Sequence, residues 1–416
     1  MMKKEIKPKK SLMKWLGVIA VVFVLISCNI TRVATVEPGS TVSIGVVTTI
    51  PVETTLNYAG TGKASQTWVE MINTAKSSID MAQFYLSSKG NEPLEPVIAA
   101  ILDAANRGVK VRFLVGTPVN KSMAERTGAV KKRFNGHANI AVTTFDWKQL
   151  IGGILHAKYF IVDNREVYIG SQNFDWRSLK HIHETGLRIK DRLLAAALTR
   201  IFAADWLYNN DNKDIYKKIK KQKPLVFGNE NFLVASPDQY NPPGVKDAVK
   251  TLVRLLDKAQ KKVTIQLLKY RVDIYKSPKK FTLIDNALRR AAKRGVQIKM
   301  VVADWNKNKP EVFSIQELTK VPNIQVKFAT IPPYSKGFIP YARVIHSKVM
   351  RIDDRISWVG TSNWGYRYFY NSRNVEVVTR SPEVAKTLDR LFNELWNSSY
   401  TYPVDPEKEY TPPRVK

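Results

Sequence analysis

Two histidines, His156 and His346, each stand two residues before a lysine, and each is followed by the same sparse set of polar residues. His156-Ala157-Lys158 leads to Asp163 and to Gly170-Ser171-Gln172-Asn173; His346-Ser347-Lys348 leads to Asp353 and to Gly360-Thr361-Ser362-Asn363. The histidines and the asparagines are both offset by 190 residues, in a chain with five histidines in all. Such a set suits a phosphodiester. A His-x-Lys that opens a strand points imidazole and ammonium out of one face, because side chains alternate along a strand. Gly-Ser-x-Asn then offers backbone, a hydroxyl from Ser171 or Ser362 and an amide from Asn173 or Asn363 to the non-bridging oxygens. Two such units meeting across a two-fold axis make one pocket. There a neutral imidazole attacks phosphorus while a protonated one hands its proton to the leaving oxygen. Which histidine does which is not decided by the sequence.

Neighbouring residues have plainer readings. Asp163 and Asp353 fall at predicted hairpin turns, where a supporting hydrogen-bond role is expected rather than proton transfer. His181-x-His183 has no third ligand nearby, so neither a metal nor another cofactor is expected. Trp364, Tyr366, Tyr368 and Phe369 read more readily as core than as a stacking platform.

The elements that must hold these groups alternate between helix and strand. Trp68, Met71, Ile72 and Ala75 recur at helical spacing before an apolar strand Ile79 to Leu86; Val97 to Arg107 is a second helix, stopped by Gly108 before a strand Val109 to Val115. The order returns with Ala248, Leu252, Leu255 and Ala259, then Val263 to Leu268, Ile284 to Arg294, Gly295 and Val296 to Ala303. Alternation of this kind predicts an α/β fold. The repeat divides the chain into homologous domains at 61–216 and 231–416, joined by a basic linker, 217–230, that carries five lysines between Lys217 and Lys223. The expected architecture is two α/β/α domains, each a mixed sheet flanked by helices, related by a pseudo-two-fold axis with one site at their interface.

The first residues read as an address. Six lysines precede an 11-residue apolar-or-glycine run, Leu16 to Ile26, which is short for a spanning helix and right for a signal peptide, 1–27. Leu25-Ile26-Ser27-Cys28 resembles a bacterial lipobox, so Cys28, the single cysteine, is expected to be lipidated as the mature N-terminus. Residues 28–60, rich in Thr, Val, Gly and Ser, read as a tether or extended leading segment, with an edge strand left open. The expected location is exported and membrane-anchored, on the periplasmic or surface side.

The 66 Lys and Arg against 36 Asp and Glu, with 44% apolar residues, exclude disordered, collagen-like and coiled-coil classes. Residues 1–27 hold six lysines and one glutamate, so a chain cut before Cys28 keeps +25 of its net +30. That charge favours polyanions, both nucleic acid and anionic membrane.

His-x-Lys-x4-Asp-x6-Gly-Ser/Thr-x-Asn, present twice, resembles the signature of the phospholipase D superfamily. Trp176-Arg177-Ser178-Leu179, Ile339-Pro340-Tyr341-Ala342-Arg343-Val344 and Gly360-Thr361-Ser362-Asn363-Trp364 are similar to the branch of animal endolysosomal 5′-exonucleases and their poxvirus relatives, over a span from about Ile50 nearly to the C-terminus. Two departures are the luminal cysteines of the animal members, absent here, and Asp353, supplied at a place where their second motif can lack aspartate. The resemblance implies a covalent phosphohistidine intermediate formed without metal. It also implies an orienting carboxylate shortly after each asparagine, which points to Glu184 and Glu376, with strand parity favouring Glu184 as the acceptor of the Nδ1 proton of His156. The favoured substrate is single-stranded nucleic acid cut from its 5′ end. The alternatives are a phospholipid, hydrolysed or transferred to an alcohol, and a non-catalytic basic lipoprotein that binds polyanions. Oligomeric state is left open.

Overall fold

Helix Leu94–Asn106 buries Val97, Ile98, Ile101, Ala104 and Ala105, the stripe an amphipathic helix turns to a core. Gly108, at φ +93°, then lets the chain leave in a left-handed conformation and enter strand Lys110–Gly116. The second half repeats this: helix Leu283–Lys293 buries Ile284, Ala287, Leu288, Ala291 and Ala292, and Gly295, at φ +91°, leads into strand Gln297–Ala303. The structure, a computed structural model, describes residues 42–416.

The first sheet runs in the spatial order Gly62–Lys63, Ser43–Thr49, Glu184–Lys190, Glu166–Gly170, Tyr159–Val162, Ser78–Gln83, Lys110–Gly116 and Ile140–Phe145. Its last three strands are parallel to one another, and the strands from Ser43–Thr49 to Tyr159–Val162 join by antiparallel pairing. The second sheet has the same order, Lys246–Asp247, Asn231–Ser236, Asn374–Thr379, Ile356–Gly360, Lys348–Ile352, Lys262–Leu267, Gln297–Ala303 and Ile324–Ala329, with Thr401–Pro403 added at its edge. In both, the strand entered from a His-x-Lys lies where the parallel part meets the antiparallel part. Both sheets are therefore central and covered on two faces, as parallel strands require.

Three apolar cores hold this arrangement. One lies outside the first sheet, around Trp68, Ile98 and Phe113, and one outside the second, around Leu252, Leu288 and Met300. The third joins the halves: Leu194, Leu198 and Ile201 of helix Arg192–Asn209 share it with Leu388, Phe392 and Leu395 of helix Pro382–Asn397. Two mixed α/β sheets flanked by helices thus share one buried seam.

The edge strand left open in the leading segment is present: Ser43–Thr49 pairs residue by residue from Ser43↔Lys190 through Thr49↔Glu184, and its Val-Val-Thr-Thr end is buried. A β-branched run against an open sheet edge forms a strand rather than a free segment. The proposed linker begins inside helix Ile215–Ile219, which buries Tyr216 and Ile219 while Lys217, Lys218 and Lys220 face solvent. Trp364 and Phe369 are core, but Tyr366 and Tyr368 are half-buried. The signal peptide, Cys28 and residues 28–41 of the leading segment lie outside the described residues. Among the described residues no helix is long and apolar enough to cross a membrane.

Candidate functional site

Two short backbone exchanges bring the halves together. His346 N donates to His183 O at 2.8 Å and His183 N to Val344 O at 2.9 Å; in the other direction His156 N donates to Arg373 O at 2.9 Å and Arg373 N to Ile154 O at 3.0 Å. Residues 183 and 373, like 156 and 346, differ by 190, so each exchange is the image of the other. The segment that carries each histidine therefore lies along the entry to the opposite half's last central strand. The residue after that entry, Glu184 in one half and Asn374 in the other, faces the histidine of the opposite half.

This corrects the pairing expected from the sequence. Glu184 Oε2 lies 2.8 Å from Nδ1 of His346, not of His156. Nδ1 of His156 meets Asn374 Oδ1 at 2.8 Å. Glu376, two residues on, sits on the same face but against Ser362 Oγ, and reaches neither imidazole ring. Asn374 is the residue that sequence reasoning missed. Its signal was present, since 184 plus the repeat offset of 190 is 374, but a search confined to carboxylates passes over an amide.

Orientation at both partners is fixed. Asn374 Nδ2 donates to Tyr368 O at 2.8 Å and to Ser372 O at 3.4 Å, while its Oδ1 also accepts from Thr361 Oγ1 at 2.9 Å. A flipped amide would set oxygen against two carbonyls. His156 Nδ1 is thus the donor, and its Nε2 carries the free lone pair. Glu184 Oε1 accepts from Ser178 Oγ at 2.9 Å, so its other oxygen takes the His346 proton in the same sense.

Lys158 and Lys348 are fully buried, and each donates from Nζ to the carbonyl of the histidine two residues before it. Burial and the Lys348 charge hold Lys158 well below its usual range, and burial brings Lys348 down to about 7. Burial pushes His346 down to about 4 although Glu184 opposes it. His156 is lowered well below its ordinary value by burial and by the charges of Lys158 and Lys348. Glu184 is pulled up by burial, but His346 and Lys348 outweigh this and hold the carboxyl below its usual value. Burial lifts Glu376 to about 8, so it is neutral near pH 7 and adds no charge to balance the lysines. Burial works against the charge of both lysines, and an anion bound beside them, such as a phosphodiester, favours it.

The other expected residues separate into two groups. Asn173 and Asn363 each keep a buried Oδ1 with no hydrogen-bond partner among the described residues. Ser171 Oγ instead ties its loop to Thr185 O and N at 3.1 and 3.0 Å. The motif glycine serves close approach rather than flexibility: a Cβ on Gly360 would sit 2.1 Å from Glu376 Cγ. Asp163 and Asp353 lie at the far ends of their strands. Asp163 accepts the backbone N–H groups of Lys76, Ser77 and Ser78, and Asp353 those of Gln260, Lys261 and Lys262. His181 and His183 do not converge on a common point. His183 meets Tyr58 Oη and Ser347 Oγ, whereas His181 packs against Tyr334 and Trp176. Among the described residues no three His, Cys, Asp or Glu side chains gather as a metal site.

Beside His156 opens a cleft of about 420 Å³. Tyr368, whose ring centroid lies 5.0 Å from that of His156, lines it together with Tyr275, Tyr366 and Arg367, with the apolar Val119, Ile154, Ile274 and Trp364, and with Lys269 and Arg271, both paired with Glu311. Arg177 is locked on Asp175 and donates to Pro340 O at 2.9 Å, which joins the Trp176–Leu179 run to the Ile339–Val344 run.

Comparison with known proteins gives a consistent set of relatives. The family described as "Cardiolipin synthase, PLD-like domain" matches residues 68–206 and 252–396. The chain is 31% identical over 393 residues to phospholipase D Z of Dictyostelium discoideum, covering 87% of this chain and 91% of that one. It is 31% identical over 377 residues to the 5'-3' exonuclease PLD3 of Xenopus laevis, covering 81% and 75%. The solved structure of phosphatidylserine synthase from Haemophilus influenzae Rd KW20 superposes with a TM-score of 0.60 at 12% identity, over 82% of this chain and 85% of that one, and so shares the fold.

Proposed function

This chain belongs to the phospholipase D superfamily and is a phosphodiesterase; on that premise we propose that it works through a phosphohistidine and that its substrate is single-stranded nucleic acid, degraded from the 5′ end. The observation that carries the mechanism is the pair of imidazoles, His156 and His346, each held at Nδ1 and each with Nε2 free, in one pocket with two buried lysines. One Nε2 bonds to phosphorus while the other protonates the departing oxygen; water then takes the phosphoryl group back. Lys158, Lys348, Asn173 and Asn363 hold the non-bridging oxygens. Asp163 and Asp353 act as turn supports remote from the phosphate.

Nucleic acid is favoured by the cleft beside His156, where three tyrosines stand among Lys269, Arg271 and Arg367. Aromatic faces stack bases and cations track phosphates. The exonuclease relative fits this reading, and the phospholipase D relative supports the second one, a phospholipid substrate. With His on phosphorus and the 5′-oxygen of the next nucleotide leaving, the products are nucleoside 3′-phosphates. Mass spectrometry of the products from single-stranded DNA tests this: 3′-phosphates support it, and 5′-phosphates contradict it. We also propose that cleavage before Cys28 and lipidation there tether the enzyme to a membrane on the exported side, as the Leu25 to Cys28 run indicates.

A further inference from the structure

Resting on the phosphohistidine reading above, we infer that Asn374 is the positioning residue that divides the labour between the two histidines, keeping His156 the neutral nucleophile while Glu184 makes His346 the proton donor. The repeat places both partners identically, so the difference between them is one of chemistry alone. A carboxylate at Nδ1 stabilises an imidazolium by a full charge, whereas an amide oxygen stabilises it by a dipole.

The remaining surroundings do not offset that difference. His156 is faced by Lys158, Lys348 and His346, by the rings of Phe84 and Tyr368, and by the Asn374 amide. His346 is faced by Glu184, Lys348 and Lys158. Both rings thus feel burial and both lysines, and His346 alone has a carboxylate. The directions agree: His156 is driven well below its ordinary value, and His346 is held up against the same forces at about 4. A bound phosphodiester anion raises both and leaves their order intact. At an intermediate pH His156 is neutral and His346 charged, as the first step requires.

That step balances. The Nε2 lone pair of His156 forms the P–N bond, the P–O bond to the leaving group breaks, and the alkoxide takes the Nε2 proton of His346. His346, now neutral, removes a proton from water; hydroxide bonds to phosphorus, the P–N bond breaks, and His156 returns neutral, its Nδ1 proton still donated to Asn374 Oδ1.

The test uses bis(4-nitrophenyl) phosphate, whose phenolate leaves without a proton. In His346→Asn the expected result is a burst of about one nitrophenolate per active site followed by arrest, with a phosphoryl adduct mapped by peptide mass spectrometry to His156. His156→Asn should give neither burst nor adduct. An adduct on His346 overturns the division while the phosphohistidine reading stands; wild-type turnover with no adduct in samples of any variant quenched in alkaline denaturant, where a P–N bond survives, overturns that reading instead. The role of Asn374 is read separately from the pH profile of kcat/KM on an oligonucleotide. Asn374→Asp gives His156 a carboxylate and should move the acid limb up by about one to two pH units, whereas Glu184→Gln should move the alkaline limb down. An acid limb unmoved in a folded, active Asn374→Asp variant reduces Asn374 to a structural part and overturns its assignment.

Discussion

His346 and Glu184 are 162 residues apart and belong to opposite halves, yet Nδ1 of one lies 2.8 Å from Oε2 of the other. The reciprocal contact, His156 to Asn374, has the same length and the opposite electrostatic character. The candidate site is therefore built by exchange: each half supplies a histidine and the group that meets the other half's histidine at Nδ1. Neither half contains a complete pair.

One consequence concerns additivity. On the proposed mechanism His156 and His346 act in sequence on one phosphate, so His156→Asn and His346→Asn should each lower turnover of unactivated substrate by roughly 10³-fold or more, and the double variant should be little worse than either. Steady-state rates on the same oligonucleotide check this. Losses that multiply would mean the two histidines serve separate sites.

Stability should depend on a buried ion pair at the seam. Arg373, which anchors the His156 segment, is paired with Asp205 at 2.7 Å with both side chains fully buried, and Tyr216 Oη also donates to Asp205 at 2.8 Å. Asp205→Ala leaves a buried guanidinium without its partner and should cost about 3–5 kcal/mol. Urea unfolding of the variant against wild type measures it, and a change under 1 kcal/mol would show that the seam tolerates an unpaired Arg373.

Glu376 sets a pH dependence. Burial lifts its carboxyl in the fold to about 8 from an ordinary 4.5, so between those values the native state holds a proton that the unfolded chain has lost. Its contribution is fully present below about 4.5 and is lost as pH rises through about 8. Wild-type Tm should accordingly fall between pH 6 and pH 9 relative to Glu376→Gln, which keeps the neutral shape. Parallel Tm curves for the two proteins would contradict the shift.

Anchoring should depend on one thiol. Cys28→Ser should abolish fatty-acid labelling in a bacterial host while the rate constant of the extracted enzyme is unchanged. Labelling that persists in the variant would remove Cys28 as the attachment point.

Much of this site was legible before the structure. The doubled His-x-Lys and Gly-Ser/Thr-x-Asn sets are local patterns, and Gly108 and Gly295 mark helix ends because only a left-handed turn fits there. Alternation along the strand also turned Glu184 inward. What alternation cannot supply is the partner: Glu184 is 28 residues from His156 and 162 from His346, and the longer separation prevails because the strand exchange is a tertiary contact. Asn374 was hidden by residue type rather than position. Ser43–Thr49 stayed open as an edge strand because five β-branched residues among seven do not by themselves reveal that Glu184–Lys190 offers them an edge.

The most direct test of the account sets its proposed substrate against the alternative. Purified protein would be incubated with single-stranded DNA bearing a 5′-hydroxyl or a 5′-phosphate, and in parallel with phosphatidylcholine and phosphatidylglycerol vesicles, alongside the His346→Asn control. The account predicts stepwise release of nucleoside 3′-phosphates from the 5′-hydroxyl end, lost in the control, with no choline or glycerol formed. Release of choline or glycerol that requires His346, with no nucleotide product from either oligonucleotide, would contradict it.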